Sequence, residues 1–304
     1  MMKEDIRAFA KLGLVHHLLY PRCTLDARYH ADTLKQFVQR RDIEAFDCCV
    51  PYDDVLRKEL IPVIKNCGKD VSYSLHLFPA RKIPLSSLDI QEQAITRLVM
   101  KDQIKVAAEA GATGFVFVSG ADVPDNRPAA QEAFLNFCRW FCRELAPHGM
   151  TALLEPFDRT IDKKFLYGPT IDCVRLIETL HEEGITNIGI ELDYAHLPMM
   201  YEDFEEATMI CGKYIKRVHL GNCVFKKNPN SPLYGDLHPP IGIEDGEIDV
   251  PELVTILRSL LKIGYLDPEN RKPLIMEMTP FPGKDQEYTI GETLRRLNEA
   301  WSQV

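Results

Sequence analysis

Of the 304 residues, 45 are Asp or Glu and 36 are Lys or Arg, so the chain carries a net charge of -9 and lacks the basic surplus from which nucleic-acid binding draws its affinity. With 45% hydrophobic and 27% charged residues the sequence reads as globular rather than disordered, and no apolar run reaches the ~18 residues of a membrane span. The charges scattered through MMKEDIRAFAKLG break the apolar stretch that a signal peptide needs, which leads us to expect a cytoplasmic protein. Nine cysteines, an odd number with no CxxC pair, are expected as buried, reduced thiols.

In chain order, apolar runs rich in β-branched residues predict eight strands: 12–19 (LGLVHHLL), 43–50, 71–78, 112–119, 151–157, 188–193, 215–221 and 273–278. Helical patterns separate them, among them 88–111, 131–149, 170–184 and 249–264, several ending on Gly as a helix C-terminus should. Eight strand–helix alternations without a Gly/Ser-rich linker predict an α/β fold in one domain over residues 1–304, a (β/α)₈ TIM barrel. An open doubly wound sheet is the alternative. Neither GxGxxG nor GxxxxGK[ST] follows any strand, so no nucleotide cofactor is expected. The segment of nearly 30 residues between strand seven and the helix near Val250 is too long for a plain connector and is expected to be an ordered loop over the site.

Barrel chemistry gathers where the strands end at their C-terminal edge. The last four strands end in Glu155 (LLEPFDR), Asp193 (ELDYAH), His219 (RVHLGNC) and Glu277 (LIMEM). A lone carboxylate there is most often a cap or an ion-pair partner. Three carboxylates and an imidazole in one mouth need a cation or raised pKa values to relieve their repulsion. The donor set suits Mn²⁺ foremost, with Co²⁺, Mg²⁺ or Zn²⁺ as alternatives. At the end of strand one, His16 and His17 must face opposite ways, so only one of the pair can point into the barrel; His17 is the candidate substrate contact, with His16 as the alternative. His76 ends strand three in the same manner.

On these motifs the chain resembles the xylose isomerase-like barrel superfamily of sugar phosphate isomerases and epimerases, over essentially its whole length. The resemblance implies a metal held by Glu155, Asp193, His219 and Glu277, and it makes His196 of Asp193-x-x-His196 a substrate contact. GDLHPPIGIEDGEID resembles the family's Asp-x-His loop and places Asp236 and His238 there. The family's ketose epimerases imply proton abstraction from a keto-sugar and a cis-enediolate, with Glu155 and Glu277 as the acid/base pair. At the positions where many of those enzymes carry a further Glu and an Arg, this chain has Ile161 and Phe225. Arg159, Lys163, Lys164 and Lys226 are candidate contacts for a phosphate or a sugar hydroxyl.

Three other functions were weighed. The large subunit of C-glycoside deglycosidases, a C–C lyase on 3-oxo-glycosides with a small β-subunit partner, is similar through VHHLLYP and the long loop. Apurinic endonucleases share His76, Glu155, Asp193, His196, His219, Asp236, His238 and Glu277, but strand four offers Ser119 where they require a His. A non-catalytic carbohydrate-binding barrel fits poorly with four strand-end ligands. The expected partner is thus a small carbohydrate, with neither nucleic acid nor membrane, and a homo-oligomer is compatible with the chain.

Overall fold

The computed structural model describes residues 4–74 and 85–304. Eight parallel strands close into a barrel in sequence order: β1 (Ala10–Val15), β2 (Ala45–Cys48), β3 (Asp70–Ser74), β4 (Gly114–Phe117), β5 (Thr151–Leu154), β6 (Ile188–Asp193), β7 (Ile215–Leu220) and β8 (Lys272–Met276). β8 pairs back with β1, Leu274 beside Leu12, which removes both sheet edges. One major helix follows each strand: α1 (Ala27–Phe37), α2 (Asp54–Lys65), α3 (Ile90–Glu109), α4 (Arg127–Leu145), α5 (Thr170–Glu182), α6 (Phe204–Cys211), α7 (Val250–Lys262) and α8 (Gln286–Ser302). The fold is therefore the expected (β/α)₈ barrel, and the open sheet is excluded.

Most of the predicted strands overrun the observed ones. The clearest case is LGLVHHLL, whose strand stops at Val15 because His16–Leu19 turns into one short helical turn. An apolar run cannot show where pairing stops, since the chain beyond a barrel strand is also buried. Helix starts are legible: Asp26, Asp53, Asp89, Asp203, Asp249 and Asp285 each accept a backbone N–H at the head of a helix.

Strand alternation divides the residues between two environments. Leu12 and Leu14 of β1 face the helices in the main core, whereas Val15 packs inside the barrel with Ala45 and Ile275. Gly13 also faces inward, and a Cβ there would meet Ile275 at 2.4 Å and the Ala45 carbonyl at 2.5 Å. Outside the sheet, α4 lays Phe134, Phe137 and Phe141 against Phe117 with ring centres 5.0–6.3 Å apart. Each such ring contributes roughly 1.5–3 kcal/mol by burial. None of the nine cysteines is in a disulfide, and all but the half-buried Cys67 are buried, as expected. Among the described residues no helix is long and apolar enough to cross a membrane.

Candidate active site

Glu155 and Glu277 follow the last residues of β5 and β8, and Asp193 and His219 lie opposite one another in the β6–β7 register. Glu155, His219 and Glu277 each offer a ligand atom within 4.8 Å of the others, with His219 Nδ1 in a short contact to Glu277 Oε2. Asp193 gathers in a second group with His196 and His238. His196 Nε2 joins the two groups, 3.0 Å from Glu155 Oε1 and 3.1 Å from Asp193 Oδ2.

Asp193 Oδ1 is held by the backbone N–H groups of Ala195 (3.0 Å) and Gly221 (3.1 Å), while its Oδ2 has no hydrogen-bond partner. Gly221 is required for this approach, because a Cβ would come within 2.7 Å of Asp193 Oδ1 and 2.9 Å of His238 Nδ1. His238 has a left-handed backbone at φ 46°, a conformation that costs energy in a non-glycine residue. It sets Nε2 at 2.7 Å from Asp236 Oδ1. Lys163 Nζ, 2.6 Å from Asp236 Oδ2, completes that pair.

The electrostatics show a site short of positive charge. Burial opposes the charging of His196 and His238, yet Asp236, Asp193 and the neighbouring glutamates outweigh it and push their pKa values up to about 9 and about 10. His219 is raised in the same way by Glu191, Glu277 and Asp47 against its burial. Burial raises Glu155 and Asp193, and His238 and His219 overcome burial to hold Glu277 well below the usual carboxylate range. A cluster that draws protons onto three buried imidazoles, and leaves Asp193 Oδ2 with ion-pair contacts but no hydrogen bond, fits a divalent cation, which meets the same demand.

Glu155, Glu277, His219, Asp236, His238 and His17 line one cavity of about 30 Å³, together with Asp47, Glu191 and Phe157. His17 is therefore the member of the strand-one pair that faces inward. His16 points the other way, with Nε2 3.1 Å from Thr33 Oγ1. His76 lies outside the described residues. Arg159 does not reach the cavity: its guanidinium is used 2.9 Å from Asp172 and 2.7 Å from the Leu166 carbonyl, so it braces the loop after β5. Ile161 packs on Met199, Cys223 and Phe225, making an apolar cluster where a Glu and an Arg would have stood.

Sequence reasoning missed Asp47, Glu191, Arg217 and Phe157, whose ring centre lies 4.1 Å from that of His196. A signal for two of them was available: Glu191 and Arg217 stand two positions before Asp193 and His219, so strand alternation points them into the same interior.

Solved structures share this fold at low identity. A D-tagatose 3-epimerase-like protein superposes with a TM-score of 0.69 at 15% identity, covering 95% of this chain and 98% of the other. An L-ribulose 3-epimerase gives 0.68 at 18%, with 97% and 96% covered, and a 3-keto-D-glucoside 4-epimerase from E. coli gives 0.66 at 14%, with 95% and 99% covered. A search of curated proteins finds no match. The family model described as xylose isomerase-like TIM barrel matches residues 43–300, and the chain belongs to that family.

Proposed function

We propose that the protein is a divalent-metal-dependent isomerase or epimerase of a keto-sugar or related polyol ketone. The observation that carries this reading is the convergence of Glu155, His219 and Glu277, with Asp193 beside them, on one buried cavity. Glu155, Asp193, His219 and Glu277 would hold the cation, with Mn²⁺ the best match and Co²⁺, Mg²⁺ or Zn²⁺ compatible. When bound, the cation supplies Lewis acidity to a carbonyl and its neighbouring hydroxyl. Glu155 at the end of β5 and Glu277 at the end of β8 form the acid/base pair, one taking the proton of the activated carbon and the other returning a proton at the second face. His196, fixed between Glu155, Asp193 and Asp236, orients a substrate oxygen, and Asp236 and His238 extend the polar wall. The structural neighbours among the sugar epimerases, one of them a keto-glucoside epimerase, support a ketose or keto-glycoside substrate.

The test is solvent deuterium exchange into a panel of ketoses, inososes and 3-oxo-glycosides. Activity is expected to vanish on chelation and return with Mn²⁺ or Co²⁺. Glu155→Gln and Glu277→Gln are expected to keep the fold and lower exchange by about 100-fold or more. Full activity in the chelated protein, or unimpaired exchange in both variants, overturns the reading. Release of an aglycone in place of epimerisation would instead point to the C–C lyase.

A further inference from the structure

Beneath the mouth the barrel interior is charged, and its charges are wired to the candidate ligand His219. Arg217, 2% exposed, donates from Nε to one oxygen of Asp47, Oδ1, at 2.7 Å, and its Nη2, which donates to the Phe46 carbonyl, is ion-paired with the same Asp47 oxygen at 2.6 Å. Its Nη1 donates to Asp70 Oδ1 at 3.1 Å, and Lys11 Nζ at the bottom of the barrel donates to the other Asp70 oxygen at 3.0 Å. The second oxygen of Asp47, Oδ2, lies 3.2 Å from His219 Nε2. His219 Nδ1 faces Glu277. A continuous polar chain thus runs up the barrel axis and ends on the imidazole that faces the candidate cation site.

We propose that Asp47, clamped by Arg217, is a positioning residue that sets the tautomer of His219. It accepts a hydrogen bond from Nε2–H and so leaves the Nδ1 lone pair for the candidate cation site. The proposal rests on the cation-site reading above. A histidine ligand is oriented, and made more basic, by a carboxylate on its other ring nitrogen. Asp47 suits that task because both of its oxygens are committed, one to Arg217 and one to His219. Glu191 is the competing acceptor, 3.5 Å from the same Nε2, but neither of its oxygens has a hydrogen-bond partner to fix it. Arg217 in turn needs Asp47 and Asp70, since a buried guanidinium left unpaired is strongly destabilising.

Asp47→Asn separates this role from simple packing, because the two side chains are nearly the same size. The Arg217 Nε donor, with the guanidinium charge behind it, requires an oxygen, so the amide NH₂ is left facing His219 Nε2. Only an unprotonated Nε2 can accept that bond, which moves the ring proton to Nδ1 and blocks the lone pair needed by the cation.

The experiment titrates Co²⁺ into the metal-free full-length chain and follows the visible d–d absorption. Asp47→Asn is expected to weaken Co²⁺ binding by about 10- to 100-fold, and Glu191→Gln by less than about threefold. A folded Asp47→Asn protein that binds Co²⁺ as the parent does, or a loss confined to Glu191→Gln, overturns the proposal while leaving the cation site standing. If the parent binds no Co²⁺, the cation-site reading falls and takes the proposal with it. Should Asp47→Asn fail to fold, ¹⁵N-histidine spectra of the Zn²⁺-loaded parent decide, with His219 assigned by the signal lost in His219→Gln. A proton on Nε2 is expected, and one on Nδ1 overturns the proposal.

Discussion

His16 and His30 stack with ring centres 5.3 Å apart in the layer between barrel and helices, away from the cavity. His30 Nε2 lies 3.0 Å from the Cys49 carbonyl, so the neutral ring donates a hydrogen bond there. Burial lowers the His30 pKa from its ordinary 6.5 to about 4, and burial with His30 and His17 nearby lowers His16 as well. The unfolded chain takes up a proton near pH 6.5, whereas the folded chain resists until about pH 4. Between those values the unfolded state binds more protons, and stability declines as the pH falls. His30→Gln keeps a donor but does not titrate. The free-energy advantage of the parent over this variant is therefore expected to shrink by about 3 kcal/mol between pH 7 and pH 4 in denaturant titrations. An advantage that stays constant with pH would show that His30 does not carry this linkage.

The long connection from β7 to α7 is the element that closes the site. Its order comes from side chains that stand in for a sheet or helix. Asn222, fully buried, donates to the Pro240 carbonyl at 3.0 Å and accepts from the N–H groups of Cys223 (2.9 Å) and Ile248 (2.8 Å). Glu247 Oε1 receives the Phe225 and Lys227 N–H groups, and Asp162, from the loop after β5, accepts the Asp236 N–H at 3.0 Å. Asn222→Ala strands buried groups, each costing about 1 kcal/mol or more, so a loss of about 3 kcal/mol in unfolding free energy is expected. Amide exchange should quicken over residues 222–249 ahead of the barrel strands. Unchanged exchange there would mean that the loop is held by something other than Asn222. The presence of this loop was legible from its length and its Pro, Gly and Asp content. Its scaffolding was not, because an Asn bonding backbone 18 to 26 residues away leaves no periodic trace.

At the scale of the molecule, the alternation of strand and helix was enough to read the barrel, and the four ligand candidates were legible because each stands at a strand end. Asp47 was hidden for a physical reason, and Glu191 and Arg217 were legible only by counting two positions back from Asp193 and His219. A charged residue inside a strand ordinarily faces solvent, and only closure of the sheet gives both faces of every strand to the interior. Closure concentrates acidic groups on one axis, since Asp47, Glu155, Glu191, Asp236 and Glu277 all face the cavity. The unfolded chain disperses these groups into water, so a cation held by them binds the native state selectively and stabilises it by linkage. At 100 times its Kd that gain is about 2.7 kcal/mol, enough to raise the unfolding temperature of a chain this size by several degrees. Mn²⁺ is therefore expected to raise the melting temperature of the metal-free protein, and His219→Gln or Glu277→Gln to lose that rise. Equal shifts in the parent and both variants would place the bound cation somewhere other than the barrel mouth.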